Sequence, residues 1–129
     1  MDAALNLRPD GGHVAVALKA YGRIAADWGL SQAQAAALAD MSESTWKRAR
    51  KPGYAGDLTR DQMLRLSAVI GIYKALVLYF DAPLAQRWIT LPNDGPMFGG
   101  ARPVDTMIAE GLPQFLRVRE YLDAPRGGM

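Results

Sequence analysis

The stretch from Leu30 to Lys51, LSQAQAAALADMSESTWKRARK, constrains the fold of this chain most strongly, because it contains two helix starts in close succession. Ser31 and Gln34 have the spacing of a capping box, in which each side chain bonds the free backbone N–H group of the other residue. Ser42 is a good N-cap for a second helix. Asp40 stands in the turn, where a backbone with positive φ usually requires Gly and is tolerated by Asp. The pattern predicts two short helices joined by a tight turn, as in a helix-turn-helix.

The second of these helices has an apolar side and a polar side. Met41, Trp46 and Ala49 are predicted to point inward. Hydroxyl groups near the helix start and cations towards its end suit the base edges and the phosphates of DNA, respectively. The predicted DNA-binding residues are Ser42, Ser44, Thr45, Lys47, Arg48 and Lys51. An ordinary helical hairpin with a solvated basic face is the alternative, since Glu43 and Lys47 are spaced for an ion pair within the helix.

The composition is that of a globular protein with one domain or two small helical subdomains. Half of the 129 residues are apolar, 22% are charged, and the absence of cysteine excludes a disulfide scaffold. The first residues do not have the pattern of a secretion signal, so a cytoplasmic location is expected. The net charge of +2 lies in residues 1–56, which hold seven Lys/Arg against five Asp/Glu, whereas residues 57–129 hold eight of each. A patch this small predicts that DNA binding requires a dimer or a larger assembly.

The chain divides by pattern into three parts. Residues 1–12 are predicted to form a mobile arm that ends in two glycines, and residues 13–56 to form the helix-turn-helix region, which opens with a helix that Gly29 ends. Residues 57–129 form the third part. No alternating strand pattern is found, so the predicted fold is all-α.

A long apolar helix opens the third part. Thr59 and Gln62 predict a capping box at its start, and the helix is predicted to end near Phe80. Its predicted apolar stripe is Met63, Leu66, Ile70, Tyr73, Val77 and Phe80, widened by Val69, Ile72 and Leu76, and burial on more than one side is expected. Lys74 and the shortness of the apolar run argue against a membrane span. A helix this apolar is a central core helix, and part of it is also a candidate homodimer interface.

Sequence motifs of enzymes, metal sites and cofactor sites are absent from the chain. No P-loop, GxGxxG, HExxH or GxSxG motif occurs. Asp105 and Glu110 are five residues apart on a short predicted helix, which is a poor spacing for paired acid–base work. His13, the only histidine, has no neighbouring residue of the metal-ligand type. The sequence therefore predicts no enzyme activity, no metal and no cofactor.

The order of the parts resembles that of the Xre/MbcA/ParS antitoxins. A helix-turn-helix and a long apolar helix are followed by a pattern that covers the rest of the chain, so the resemblance extends over about residues 14–129. The specific pattern is Trp88-Ile89, Leu91-Pro92-Asn93, Met97-Phe98-Gly99-Gly100, Arg102-Pro103, Gly111 and Leu122.

This resemblance implies an Xre-like helix-turn-helix part packed on a C-terminal helical part, residues 57–129, that serves dimerisation and toxin binding. It implies as partners a RES-domain toxin that depletes NAD, operator DNA and a second copy of the chain, and no membrane. The implied toxin-binding residues are Pro96, Met97, Phe98, Gly99, Gly100, Arg102, Arg119, Arg126, Gly127, Gly128 and Met129. The last four would form a flexible tail that closes the toxin's active site. The alternative is a stand-alone Xre-family transcriptional regulator without a toxin partner.

Overall fold

The described part of the chain is all-helical, as predicted. The computed structural model describes residues 11–124, and within them there are seven α-helices, one 3-10 helix and no strand. The predicted tail, Arg126 to Met129, and most of the predicted N-terminal arm lie outside the described residues. The helices are α1 (Gly11–Asp27), α2 (Gln32–Leu38), α3 (Glu43–Ala49), α4 (Arg60–Tyr79), α5 (Leu84–Arg87), the 3-10 helix (Trp88–Thr90), α6 (Pro103–Glu110) and α7 (Leu112–Asp123).

The chain forms two compact units that meet within α4. The N-terminal unit ends at Ser67, and the C-terminal unit begins at Ala68. The helix α4 therefore contributes its first two turns to one unit and the remainder to the other. The first helix of the N-terminal unit, α1, begins at Gly11, two residues before its predicted start at His13.

Tyr21 holds α1 to the helices that follow it in the N-terminal unit. Its side chain is fully buried, its hydroxyl donates a hydrogen bond of 2.6 Å to the backbone oxygen of Ala35, and its ring meets the edge of Trp46 at a centroid distance of 5.3 Å. Burial raises the pKa of Tyr21 well above its usual value, while the charge of Arg65 acts in the opposite direction. The hydroxyl therefore stays protonated and remains a donor at the centre of this core.

The predicted helix starts are confirmed by their hydrogen bonds. Both reciprocal bonds of the capping box join Ser31 and Gln34, at 2.9 and 3.1 Å. The same pair of bonds joins Thr59 and Gln62 ahead of α4, at 2.9 and 3.0 Å. Gly29 ends α1 with a φ of 69°, as the sequence predicts. Local signals of this kind act within one turn of helix and do not depend on tertiary packing.

The buried face of α4 lies mainly on the residues predicted to widen its apolar stripe. Of the six residues of the stripe only Leu66 is buried; Val77 is 49% exposed. The three residues predicted to widen the stripe form the buried face instead, together with Ala75: Val69, Ile72 and Leu76. The helix is apolar over most of its circumference, so its sequence pattern does not define which face turns inward.

The same helix is the only one among residues 11–124 that is long and apolar enough to cross a membrane. The core helix of a soluble protein passes the same test of length and composition. Only 28% of its apolar window is buried within the chain, which leaves a substantial apolar surface without cover from the described residues.

The C-terminal unit is built on a helical hairpin. Pro103 occupies the first turn of α6, and Gly111, with a φ of 79°, both ends α6 and precedes α7. The core of this hairpin consists of apolar side chains with at most 1% exposure: Val104, Met107, Phe115, Val118 and Leu122. Phe115, Val118 and Leu122 follow one another at spacings of three and four, so they form one apolar face of α7.

Candidate functional site

The turn between α2 and α3 has the backbone geometry of a helix-turn-helix. Asp40 adopts a φ of 60°, the left-handed conformation predicted for it, and it is the one non-glycine residue with positive φ among residues 11–124. Its backbone oxygen accepts a hydrogen bond of 2.9 Å from the side-chain amide of Gln62 at the start of α4. The turn is therefore fixed both by its own backbone and by the helix that follows the motif.

The orientation of α3 follows from its buried side. Trp46 and Ala49 are 3% and 2% exposed, and Met41 lies at the edge of the core with 9% exposure, so the predicted inward face is confirmed. The indole N–H of Trp46 donates a hydrogen bond of 2.9 Å to the side-chain oxygen of Gln32 on α2. Because α3 is held from within, its opposite face is presented to solvent.

The predicted DNA-binding residues lie on this outer face of α3. All are exposed except Thr45, which is half-buried: Ser42, Ser44, Thr45, Lys47, Arg48 and Lys51. The hydroxyl of Ser42 caps α3 by accepting a hydrogen bond of 3.1 Å from the backbone N–H of Thr45, and it lies 3.2 Å from the hydroxyl of Ser44. These hydroxyls thus form a small network at the start of the helix.

The cations of α3 are not neutralised by its only acidic residue. Within the described part of the chain, no ion pair joins Glu43 and Lys47, although their spacing permits one. The guanidinium of Arg48 has only a long contact of 3.4 Å with the hydroxyl of Thr45. The positive charge of this face is available to an anionic partner.

In the C-terminal unit, the loop between the 3-10 helix and α6 is closed by Asn93. The backbone N–H of Asn93 donates to Ala101 O at 3.0 Å, and its backbone oxygen accepts from the N–H of Gly100 at 2.8 Å. Gly99 and Gly100 have φ values of 58° and 91°, which side chains rarely permit. The glycine pair is thus required by the shape of the loop, and its exposed backbone is open to a partner.

Three aromatic rings fasten this loop. Phe98 is 5% exposed and forms edge-to-face contacts with Trp88 and Tyr121 at centroid distances of 5.8 and 5.7 Å. Trp88 stacks on Tyr121 at a centroid distance of 6.2 Å. Phe98, predicted as a toxin contact, is therefore a buried anchor of the loop. Met97 beside it is half-buried and Pro96 is exposed, so these two residues are the accessible apolar part.

The two predicted toxin-binding arginines of the described residues are exposed and ion-paired. Arg102 pairs with Asp105 at 2.7 Å, and Arg119 pairs with Asp123 at the same distance. The Arg119 side chain crosses over Gly71 of α4, where the missing side chain leaves room for it. Both arginines are oriented by these partners, and both remain accessible to solvent.

Sequence reasoning missed a buried polar network between α6 and α7. Gln114 is 2% exposed. Its amide N–H donates a hydrogen bond of 3.0 Å to the hydroxyl of Thr106, and this hydroxyl donates a hydrogen bond of 2.7 Å to the backbone oxygen of Pro103. Arg117 donates to the side-chain oxygen of Gln114 at 3.1 Å. No sequence motif marks this glutamine; only its position between apolar neighbours on the inner face of α7 could have indicated burial.

Two matches with known protein families cover almost all of the described chain. Residues 13–71 match the antitoxin Xre-like helix-turn-helix domain, and residues 75–128 match the antitoxin Xre/MbcA/ParS C-terminal toxin-binding domain. The chain belongs to the Xre/MbcA/ParS antitoxins. It is also 40% identical over 121 residues to the uncharacterized protein y4oB of Sinorhizobium fredii (strain NBRC 101917 / NGR234), covering 92% of this chain and 91% of that protein.

Membership in this family fixes the coarse function. The protein is an antitoxin with a helix-turn-helix and a toxin-binding domain; its partner is a toxin, and it is not an enzyme. Within residues 11–124, no group of three or more His, Cys, Asp or Glu side chains is placed to hold a metal ion. The family match makes residues 75–128 the toxin-binding domain.

Proposed function

We propose that this antitoxin neutralises a RES-domain toxin that depletes NAD, by inserting its C-terminal tail into the toxin's active site. One observation carries the proposal. The match to the toxin-binding domain extends to residue 128, although the last helix ends at Asp123. The tail residues Arg126, Gly127 and Gly128 thus belong to the toxin-binding domain as the family defines it. Two glycines fit a narrow cleft, and an arginine pairs well with acidic groups.

The loop around Gly99 and Gly100 supports this proposal as a second contact region. Its backbone is held by Asn93 and by the buried ring of Phe98, so it loses little conformational freedom when a partner binds. Pro96 and Met97 offer apolar contact area, and Arg102 and Arg119 offer charge-assisted hydrogen bonds. In this mechanism the loop and α7 hold the toxin while the tail occupies its cleft.

The helix-turn-helix is proposed to bind the operator of the antitoxin's own operon. The outer face of α3 carries hydroxyls near its start and accessible cations towards its end, an arrangement that suits bases and phosphates. Arg50 and Lys51 add positive charge directly after the helix. Because one such face supplies few phosphate contacts, two copies on adjacent half-sites are needed for useful affinity.

A homodimer is supported by the apolar surface near the end of α4. Val77, Leu78 and Tyr79 are 49%, 75% and 47% exposed, and Leu84 beyond them is 41% exposed. Large apolar side chains exposed close together along the chain are candidates for a covered interface in soluble proteins. A second copy would also place two DNA-binding faces in one assembly, as operator binding requires.

Because DNA and NAD are both cytoplasmic, the protein acts in the cytoplasm.

The proposal predicts that a RES-domain protein is encoded beside this gene, and co-expression with that protein tests it. The two proteins are expected to co-purify, and the antitoxin is expected to abolish the loss of cellular NAD that the toxin causes alone. A variant with charge reversal at the loop and α7, Arg102→Glu with Arg119→Glu, is expected to co-purify poorly, whereas Arg60→Glu in the N-terminal unit is a matched control that should bind. Continued NAD loss in the presence of the unchanged antitoxin would contradict the proposal.

A further inference from the structure

An open cleft of about 610 Å³ lies in the N-terminal unit, between α1, the start of α2 and the segment that follows α3. Its volume is in the range of pockets that hold small organic molecules. Its floor is apolar and includes Leu18 and Trp46, both of which are buried apart from the face they present to the cleft. Small residues of α1, including Gly22 and Ala26, keep the space above this floor open.

The rim of the cleft is strongly cationic. Lys19 and Arg23 contribute from α1, and Arg50 and Lys51 from the end of α3; all four are exposed. No Asp or Glu lines the cleft, and within residues 11–124 none of the four cations takes part in an ion pair. Four like charges around one opening repel each other, so an anion that binds there relieves this repulsion.

Two further side chains, those of Tyr54 and Gln32, give the cleft an aromatic wall and hydrogen-bond donors. The ring of Tyr54 forms part of the wall and lies directly against Gly56, whose missing side chain makes room for it. Gln32 uses its side-chain oxygen to accept the bond from the Trp46 indole, so its amide group keeps its N–H donors for a ligand. Small-molecule sites usually combine an apolar floor, an aromatic ring in the wall and a few hydrogen-bond donors, and this cleft has all three.

We propose that this cleft binds a small organic anion with a planar aromatic body. The anionic group is held by the rim, in particular by the guanidinium groups of Arg23 and Arg50, which bind carboxylates or phosphates with two parallel hydrogen bonds. The aromatic body covers the apolar floor formed by Leu18 and Trp46. An inorganic anion would use the rim alone, and an uncharged ring would leave the rim uncompensated, so a ligand that combines both features fits the cleft best.

Ligand binding at this cleft would regulate the DNA-binding face. Lys51 lines the cleft and is also among the predicted DNA-binding residues. A bound anion would pair with Lys51 and lower the positive charge offered to phosphates, so ligand and DNA would oppose each other's binding. This consequence depends on the proposed operator binding, whereas occupancy of the cleft itself does not.

The test uses 2-naphthoate as the probe and the full chain without DNA. In ¹H–¹⁵N spectra, the indole N–H of Trp46 and the backbone N–H of Gly53 are expected to shift and to saturate at one equivalent per chain. Acetate, which lacks the ring, and 2-naphthamide, which lacks the charge, are expected to bind at least tenfold more weakly. Failure of these two signals to respond to 2-naphthoate would overturn the proposal, as would equal binding of acetate.

Variants separate the two halves of the site. The double variant Arg23→Gln with Arg50→Gln removes rim charge, and Ala26→Phe fills the cleft without changing its charge; each is expected to weaken 2-naphthoate at least tenfold. Arg60→Gln, a cation of the same unit outside the cleft, is the matched control and should bind as the unchanged protein does. Unaltered binding by the double variant would overturn the proposal. A response of the cleft signals to a DNA duplex but not to 2-naphthoate would assign the cleft to the DNA interface instead.

Discussion

The indole N–H of Trp46 donates a hydrogen bond of 2.9 Å to the side-chain oxygen of Gln32, and this bond joins the two helices of the helix-turn-helix. The same ring is 3% exposed and forms the partner of Tyr21 in an edge-to-face contact. One side chain thus connects α1, α2 and α3. The accessible face of α3 is defined by this arrangement, because everything opposite Trp46 points to solvent.

Removal of the Trp46 ring is expected to destabilise the N-terminal unit strongly. Trp46→Ala should lower the free energy of unfolding by about 3–5 kcal/mol, since it leaves a cavity beside Tyr21. Trp46→Phe keeps most of the apolar volume and loses the hydrogen bond to exposed Gln32, so its loss should be clearly smaller. Urea denaturation followed by circular dichroism measures both variants. A loss for Trp46→Ala of less than about 1 kcal/mol would place the ring outside the core.

The left-handed residue of the turn gives a second prediction. Asp40 has a φ of 60°. This left-handed conformation destabilises the folded state by about 1 kcal/mol or more for a residue with a Cβ atom, whereas Gly adopts it without strain. Asp40→Gly is therefore expected to fold at least as stably as the unchanged protein, because the backbone oxygen that Gln62 bonds is retained. Asp40→Ala should be less stable than Asp40→Gly by about 1 kcal/mol. Thermal unfolding compares the two variants, and equal stability would argue against the strained turn.

DNA binding is expected to depend on the cations of α3 and of the segment directly after it. Arg48→Ala and Lys51→Ala should each weaken operator binding, and each should reduce the slope of log affinity against log salt concentration by about 1. Arg87→Ala, which removes an exposed cation from the C-terminal unit, is the control and should leave the slope unchanged. Fluorescence anisotropy at several salt concentrations gives the slopes. An unchanged slope for both Arg48→Ala and Lys51→Ala would remove α3 and the segment after it from the DNA interface.

Neighbouring loop residues are expected to separate folding from toxin binding. Phe98→Ala removes a buried ring that contacts Trp88 and Tyr121, and should cost about 3–5 kcal/mol of stability. Met97→Ala removes a half-buried side chain and should leave stability within about 1 kcal/mol while weakening toxin binding. Denaturation and a binding titration with the toxin measure the two effects. A stable Phe98→Ala variant would show that the ring does not anchor the loop.

Features that act within a few residues were predictable from the sequence, and features that depend on packing were not. The capping boxes at Ser31 and Thr59 and the left-handed turn at Asp40 were predicted because their hydrogen bonds and backbone angles are local. The inward face of α4 was not, since that helix is apolar on most sides and its orientation is chosen by its neighbours. Gln114 was missed for the same reason: its partner Thr106 lies on another helix.

The outer face of α3 and the loop of the C-terminal unit also differ in how far the sequence predicts them. The exposed position of the α3 cations follows from helical spacing once Trp46 is placed inside, so the proposed DNA-binding face could be predicted from the sequence. The loop of the C-terminal unit was located by its glycines and by family resemblance, but the burial of Phe98 depends on Trp88 and Tyr121, which lie far from each other in sequence. Resemblance located the loop, and packing distinguishes its anchor from its accessible residues.

The proposed tail mechanism is tested most directly by measuring NAD in cells that express the RES-domain toxin together with either the full antitoxin or a version that lacks residues 125–129. The truncation leaves every described helix intact. The full antitoxin is expected to preserve NAD. The truncated antitoxin is expected to co-purify with the toxin and to bind operator DNA, but to allow NAD to fall. Full protection of NAD by the truncated antitoxin would contradict the claim that the tail closes the toxin's active site.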